Sequence, residues 1–218
     1  MTFLQLCQEL VRLGGMAGEG GPPLVTGQSG EYRRAIEFVR IAHEDVCNLH
    51  NDWDFLWGLE EIFTEAGMAT YAGPEDVGTF DAERIFINGE ALSFIDWQDY
   101  TPEPLEADRP YAFTIRPDGQ LQLIPTPDAV YTLSVEYFKA EPPLTENADE
   151  PLIPERFQRI ILGRALILYG NYEAAQEVVA QGNELYRIYR EMLERHQLSR
   201  RQQTHGRQES SPIQVVAQ

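Results

Sequence analysis

The stretch EYRRAIEFVRIAHEDVCNLHNDWDFLWG, residues 31–58, carries the clearest structural signal in the chain. Tyr32, Ala35, Val39, Ala42, Val46, Leu49, Trp53 and Leu56 step by three or four residues along it. That spacing puts them in one apolar stripe on a helix, because such positions stack on the same face. The pattern predicts a long helix that stops near Gly58, with a polar face turned to solvent.

Upstream, Phe3, Leu6, Leu10 and Leu13 recur at helical spacing behind Thr2, a good N-cap, and Gly14-Gly15 ends that run. A Gly- and Pro-containing linker over 18–30 separates the two helices, and Ser29 stands where the second would be capped. Downstream of Gly58 the period changes to two. The hairpin Tyr111–Ile124 alternates Phe113 and Ile115 on one arm and Leu121 and Leu123 on the other, around Pro117-Asp118-Gly119. Leu133, Val135 and Tyr137 share one face of a further strand over Thr132–Phe138, and shorter candidates lie at Glu61–Glu65, Arg84–Ile87 and Ala91–Phe94.

After an acidic linker over 141–153, Pro154 suits a helix start. The run Ile160–Tyr169 is apolar nearly all round, as expected of a helix buried on several sides. A fourth helix extends from beyond Gly170-Asn171 to about Arg201, with a seam of Ala175, Val178, Gly182, Leu185, Tyr189 and Met192. The predicted class is α+β: a bundle of about four helices with an inserted small, mostly antiparallel β domain and an extended C-terminal tail. The predicted divisions are a helical hairpin over 1–58, a β-rich insertion over 59–140, a second helical hairpin over 141–201 and a docking tail over 202–218.

Charge narrows the function. The chain carries 17 basic and 35 acidic residues, a formal charge of −18. Residues 1–150 hold 8 basic and 28 acidic side chains, whereas residues 151–218 hold 9 and 7. Nucleic-acid binding rests on clustered cations, so the acidic body disfavours it as a main activity. No apolar run approaches the roughly 18 residues of a membrane span, and nothing resembles a secretory signal, so a soluble intracellular protein is expected. Cys7 and Cys47 are then read as buried free thiols.

Catalytic signatures are weak. Gly27-Gln28-Ser29-Gly30-Glu31 lacks the final glycine of a nucleophile elbow. Gly18-Glu19-Gly20-Gly21 runs into Pro22-Pro23, which removes amide donors from any phosphate cradle. His43 and His50, seven residues apart, share a helix face that the pattern leaves partly exposed, and no cysteine or carboxylate completes a recognisable metal set. Carboxylates at Glu60-Glu61, Glu103-Glu106-Asp108 and Glu146-Asp149-Glu150 suggest a glycosidase pair only as strongly as chance would in so acidic a chain. No enzyme activity, cofactor or metal is expected. Arg195, Arg200, Arg201 and Arg207, followed by Pro212, Ile213, Val215 and Val216, read instead as a partner-binding peptide. In that reading the cations and short apolar run order on a second protein; the competing reading is a helix end with dipole-complementing cations and a solvated tail.

The N-terminal third resembles phage head-to-tail adaptor (connector, or neck) proteins. The resemblance rests on Thr2-Phe3-Leu4 with Leu10, the Gly-rich turn over 14–21, Thr26-Gly27-Gln28-Ser29-Gly30-Glu31, and Leu49-His50-Asn51-Asp52-Trp53-Asp54-Phe55-Leu56 closing the long helix. It implies a structural virion protein at the neck, assembled in the host bacterial cytoplasm. It further implies a homo-oligomeric ring of twelve copies, joined to the portal protein above and to a tail or nozzle protein below. Genomic DNA passes through such a ring without sequence-specific binding, and the C-terminal segment extends onto the portal. Two readings compete: another neck component such as a tail terminator, and a carboxylate-dependent enzyme degrading the cell envelope. A nucleic-acid module working through residues 195–207 comes third.

Overall fold

The computed structural model describes residues 1–16, 20–102 and 106–198. Their helices are α1 (Phe3–Leu13), α2 (Gly30–Cys47), α3 (Arg159–Tyr172) and α4 (Gln176–Gln197), and short 3₁₀ turns cover Asp54–Leu56 and Glu155–Phe157. The strands are β1 (Trp57–Phe63), β2 (Thr70–Tyr71), β3 (Val77–Ile87), β4 (Glu90–Ala91), β5 (Ser93–Phe94), β6 (Ala112–Ile115), β7 (Leu121–Ile124) and β8 (Thr132–Lys139). The class is α+β. The chain divides into two compact units, one of Met1–Phe55 with the described residues from Glu141 onward, the other of Leu56–Ala140.

The first unit is helical. Thr2 caps α1 through a reciprocal pair: its hydroxyl accepts from the Gln5 amide while the Gln5 side chain accepts from the Thr2 amide. Phe3, Leu6, Cys7 and Leu10 are fully buried on the inner face of α1. In α2 the buried set is Ala35, Ile36, Val39, Ala42, His43, Val46 and Cys47. Ser29 stands at its N-cap position, yet its side chain makes no capping hydrogen bond.

The helix predicted to reach Gly58 ends at Cys47. Asn48, His50, Asn51 and Asp52 follow, and such residues favour turns because their side chains compete for backbone hydrogen bonds. Trp53 therefore lies beyond the helix rather than on its stripe. It is fully buried, and its indole N–H donates to the Cys47 carbonyl at 3.2 Å, satisfying an acceptor that the helix end leaves open.

α3 buries Ile160, Ile161, Leu162, Ala165 and Leu166 and packs on α1, α2 and α4, as its all-round apolar pattern requires. Against α4 the backbones nearly touch. A β-carbon on Gly163 would lie 2.5 Å from the Tyr186 amide nitrogen, and one on Gly182 would lie 2.9 Å from the Gly163 carbonyl oxygen. The anticipated seam of α4 is followed through Gly182, which is buried, but Met192 is 46% exposed and Leu193 takes the buried place. Arg164 donates to Asp45 at 2.7 Å, fixing α3 to α2.

The segment 141–153 is held by its own polar groups. Asp149 accepts at one carboxylate oxygen from the Thr145 and Glu146 amides, both at 2.7 Å, while its carbonyl accepts from the Phe3 amide at 2.7 Å. Those amides hold the Asp149 carboxyl below the usual carboxylate range. A depressed folded pKa contributes stability above the unfolded value, about 3.9 for Asp, and loses it as pH falls through the folded value. A carboxyl-carbon NMR titration is accordingly expected to show Asp149 titrating below about pH 3.9. A midpoint at or above that value contradicts this hydrogen bonding.

The second unit is built from two four-stranded sheets, ordered β1-β8-β3-β4 and β2-β7-β6-β5, where the sequence led us to expect one small sheet. Ile85, Ile87, Leu133 and Val135 from the first sheet meet Tyr71, Phe113, Leu121 and Leu123 from the second in one core. Pairing is antiparallel throughout except for β5 with β6, which is parallel. The predicted hairpin is β6–β7, with Gly119 at φ +80 in its turn. The candidate at Glu61–Glu65 overlaps the end of the longer strand β1, which stops at Phe63, and Arg84–Ile87 is the end of β3; Ala91–Phe94 is divided between β4 and β5.

Candidate interaction surface

The C-terminal turn of α4 is anchored on several sides. Leu193 is fully buried and Gln197 is 7% exposed. Between them, Glu194 accepts from Arg190 at 2.7 Å and pairs with His50 Nε2 at 3.3 Å. Burial works against ionising Glu194, but its bonds to Arg190 and His50 outweigh it and hold the carboxyl below its usual range. His196 packs its ring 5.4 Å from that of Phe157 and contacts the Arg156 guanidinium. Position 198, the last described residue, is therefore held against the bundle.

Upstream, α4 turns an open face outward. Arg187 pairs with Glu184 and Glu191 within the helix, an arrangement that solvent screens strongly. Ile188 and Met192 are 38% and 46% exposed beside these charges. Of the predicted partner-binding residues, Arg195 is described and exposed on the last turn of α4. Arg200, Arg201, Arg207, Pro212, Ile213, Val215 and Val216 lie outside the described residues.

Sequence reasoning missed a second surface, in the β unit. Trp57, Leu59 and Phe63 on edge strand β1 are 49%, 51% and 66% exposed. They share one face, since their register partners Phe138, Glu136 and Thr132 alternate along β8. Glu136 links this face together: it accepts two bonds from Arg84, at 2.8 and 2.6 Å, and one from the Trp57 indole at 3.0 Å. The period-two signal was present in Trp57, Leu59 and Phe63, but extending the helical stripe to Gly58 concealed where it begins.

Among the described residues, the carboxylates weighed for a glycosidase pair are placed as follows. Glu60 and Glu61 are successive on β1 and so face opposite sides of the sheet. Glu103 lies outside the described residues, Glu106 is exposed, and Asp149 is committed to its turn.

Two readings of the histidines are corrected. His43 is 1% exposed rather than on an open face, and its Nε2 lies 2.9 Å from Glu141 Oε1. Cys47, one turn further along α2, is 8% exposed, and burial pushes its thiol pKa up. A cysteine and a carboxylate thus gather around His43: the candidate ligand atoms of His43, Cys47 and Glu141 all lie within 4.8 Å of one another. His50 is turned away to Glu194 and Trp53. Both cysteines are free and buried.

No helix among the described residues is long and apolar enough to cross a membrane. A search of curated proteins returned no match. The family model described as SU10 adaptor protein matches residues 1–214, nearly the whole chain and far beyond the segment over 2–57 whose motifs carry the resemblance. The chain belongs to the SU10 adaptor protein family, and is thereby a phage adaptor protein.

Proposed function

We propose that this protein is a non-catalytic head-to-tail adaptor: a ring of twelve copies beneath the portal, joining it to the tail and continuing the DNA channel. The observation that carries this reading is the anchored end of α4. A helix held at Leu193, Glu194 and Gln197 leads directly into a segment that ends in Pro212, Ile213, Val215 and Val216. A docking peptide works best from a fixed root, because only the peptide's own ordering entropy then opposes binding.

The remaining roles follow from surface chemistry. The open face of α4, with Ile188 and Met192 among paired charges, suits a neighbouring subunit in a ring whose contacts are heterologous. The exposed face of Trp57, Leu59 and Phe63 suits the tail or nozzle protein, since aromatic residues are enriched at protein interfaces. Net acidity disfavours adhesion of DNA phosphates in a channel. The protein acts at the virion neck after assembly in the host cytoplasm.

Deleting residues 202–218 tests the docking step. The shortened protein is expected to keep the circular dichroism and thermal transition of the full chain while losing co-sedimentation with purified portal. Undiminished co-sedimentation contradicts the assignment of portal docking to this segment.

A further inference from the structure

Buried polar atoms in folded proteins almost always have hydrogen-bond partners, and each exception calls for a reason. Three buried side-chain atoms among the described residues lack one: His43 Nδ1, Glu141 Oε2 and Thr114 Oγ1. Two of the three fall in one cluster, on side chains only 1% and 6% exposed. The same cluster contains the Cys47 sulfur. An imidazole, a thiol and a carboxylate form a donor set of the kind that binds zinc, whereas an apolar core needs none of them.

The local backbone presents these donors together. His43 and Cys47 are four residues apart on α2, one above the other on its buried face. Glu141 reaches them from 98 positions along the chain, and its Oε1 also accepts from the Leu152 amide at 2.9 Å. That bond orients the carboxylate while its other oxygen is left without a partner, as a supporting hydrogen bond orients a metal ligand. Tetrahedral zinc, with bonds of about 2.0–2.3 Å, places its ligand atoms roughly 3.3–3.6 Å apart. With candidate ligand atoms at 4.8 Å or less, binding needs side-chain shifts of about 1 Å, and the 2.9 Å hydrogen bond between His43 Nε2 and Glu141 Oε1 gives way to the ion.

We propose that His43, Cys47 and Glu141 form a binding site for a zinc-class divalent cation, with water as the fourth ligand. Binding exchanges the Cys47 S–H for a metal–thiolate bond, and the proton leaves to solvent. The ion fixes Glu141, the first residue of the helical unit after the β unit, to the C-terminal half of α2. The site is independent of the portal reading, and its failure leaves that reading intact.

Cobalt(II) titration of the metal-stripped full chain reads this site directly, because thiolate ligation produces a charge-transfer band that oxygen and nitrogen ligands do not. One equivalent of cobalt is expected to bind with that band, zinc is expected to displace it, and the thermal transition is expected to rise with either ion. Cys47→Ser abolishes the band and Cys7→Ser retains it. Glu141→Gln preserves the shape of the side chain and weakens binding by tenfold or more, which keeps the test informative if Cys47→Ser fails to fold. Absence of the band with folded wild-type protein overturns the proposal, as does a band that survives Cys47→Ser. An unchanged cobalt affinity in Glu141→Gln overturns the three-ligand assignment. If the free atoms are satisfied by buried water instead, the titration shows no band.

Discussion

Replacing Trp53 by alanine is expected to destabilise the helical unit by about 3–5 kcal/mol, the range for deleting a large aromatic side chain from a core. Trp53 is fully buried, lies edge-on to His50 at 4.8 Å and stacks on Phe55 at 5.6 Å. Its loss removes the packing that holds the chain after α2 and leaves the Cys47 carbonyl without the indole donor. Domains are stable by only about 5–15 kcal/mol, so this change consumes a large part of the total. Urea denaturation followed by circular dichroism measures it. A shift in midpoint corresponding to less than about 1 kcal/mol contradicts the packing described for Trp53.

The second large effect belongs to the contact between α3 and α4. Gly163→Val is expected to cost about 3 kcal/mol or more, at the upper end of overpacking penalties. The obstacle is backbone, with the Tyr186 nitrogen 2.5 Å and its α-carbon 2.8 Å from the new β-carbon. A flexible side chain could rotate away, but here a whole helix has to move. Because Gly182 meets the Gly163 carbonyl from the other helix, the two helices have no separation that accepts a branched side chain. Thermal unfolding measures the loss, and a wild-type transition in Gly163→Val contradicts the close approach.

Elements defined by local chemistry were legible in the sequence. α1 has its N-cap and helical period within fourteen residues, and the β6–β7 hairpin carries its turn residues between two alternating arms. α3 was legible as a buried helix because its run Ile160–Tyr169 is apolar nearly all round. Where local and tertiary signals conflict, the reading failed. Leu49, Trp53 and Leu56 extend the helical period of α2 by coincidence, and the polar residues Asn48, His50, Asn51 and Asp52 override it. In β3, the register shifts between Phe80 and Ile85 break the alternation, so only its last residues looked like a strand. The second sheet leaves little trace in the sequence because the pairing of β2 with β7 and of β5 with β6 is non-local and involves two residues each.

The candidate surfaces differ in how far the sequence points to them. The proposed docking segment rests on charge asymmetry and on Pro212, Ile213, Val215 and Val216, and α4, anchored at Glu194, precedes it. The cluster at His43 was not legible, because Glu141 lies 98 positions away and no spacing rule connects it to α2.

Electron microscopy of the purified protein mixed with the portal of its own phage decides whether this chain joins a portal to a tail as a ring. A twelve-subunit ring stacked coaxially on the portal is expected, with density for residues 202–218 running onto the portal surface. Folded protein and intact portal that stay separate at micromolar concentrations contradict it.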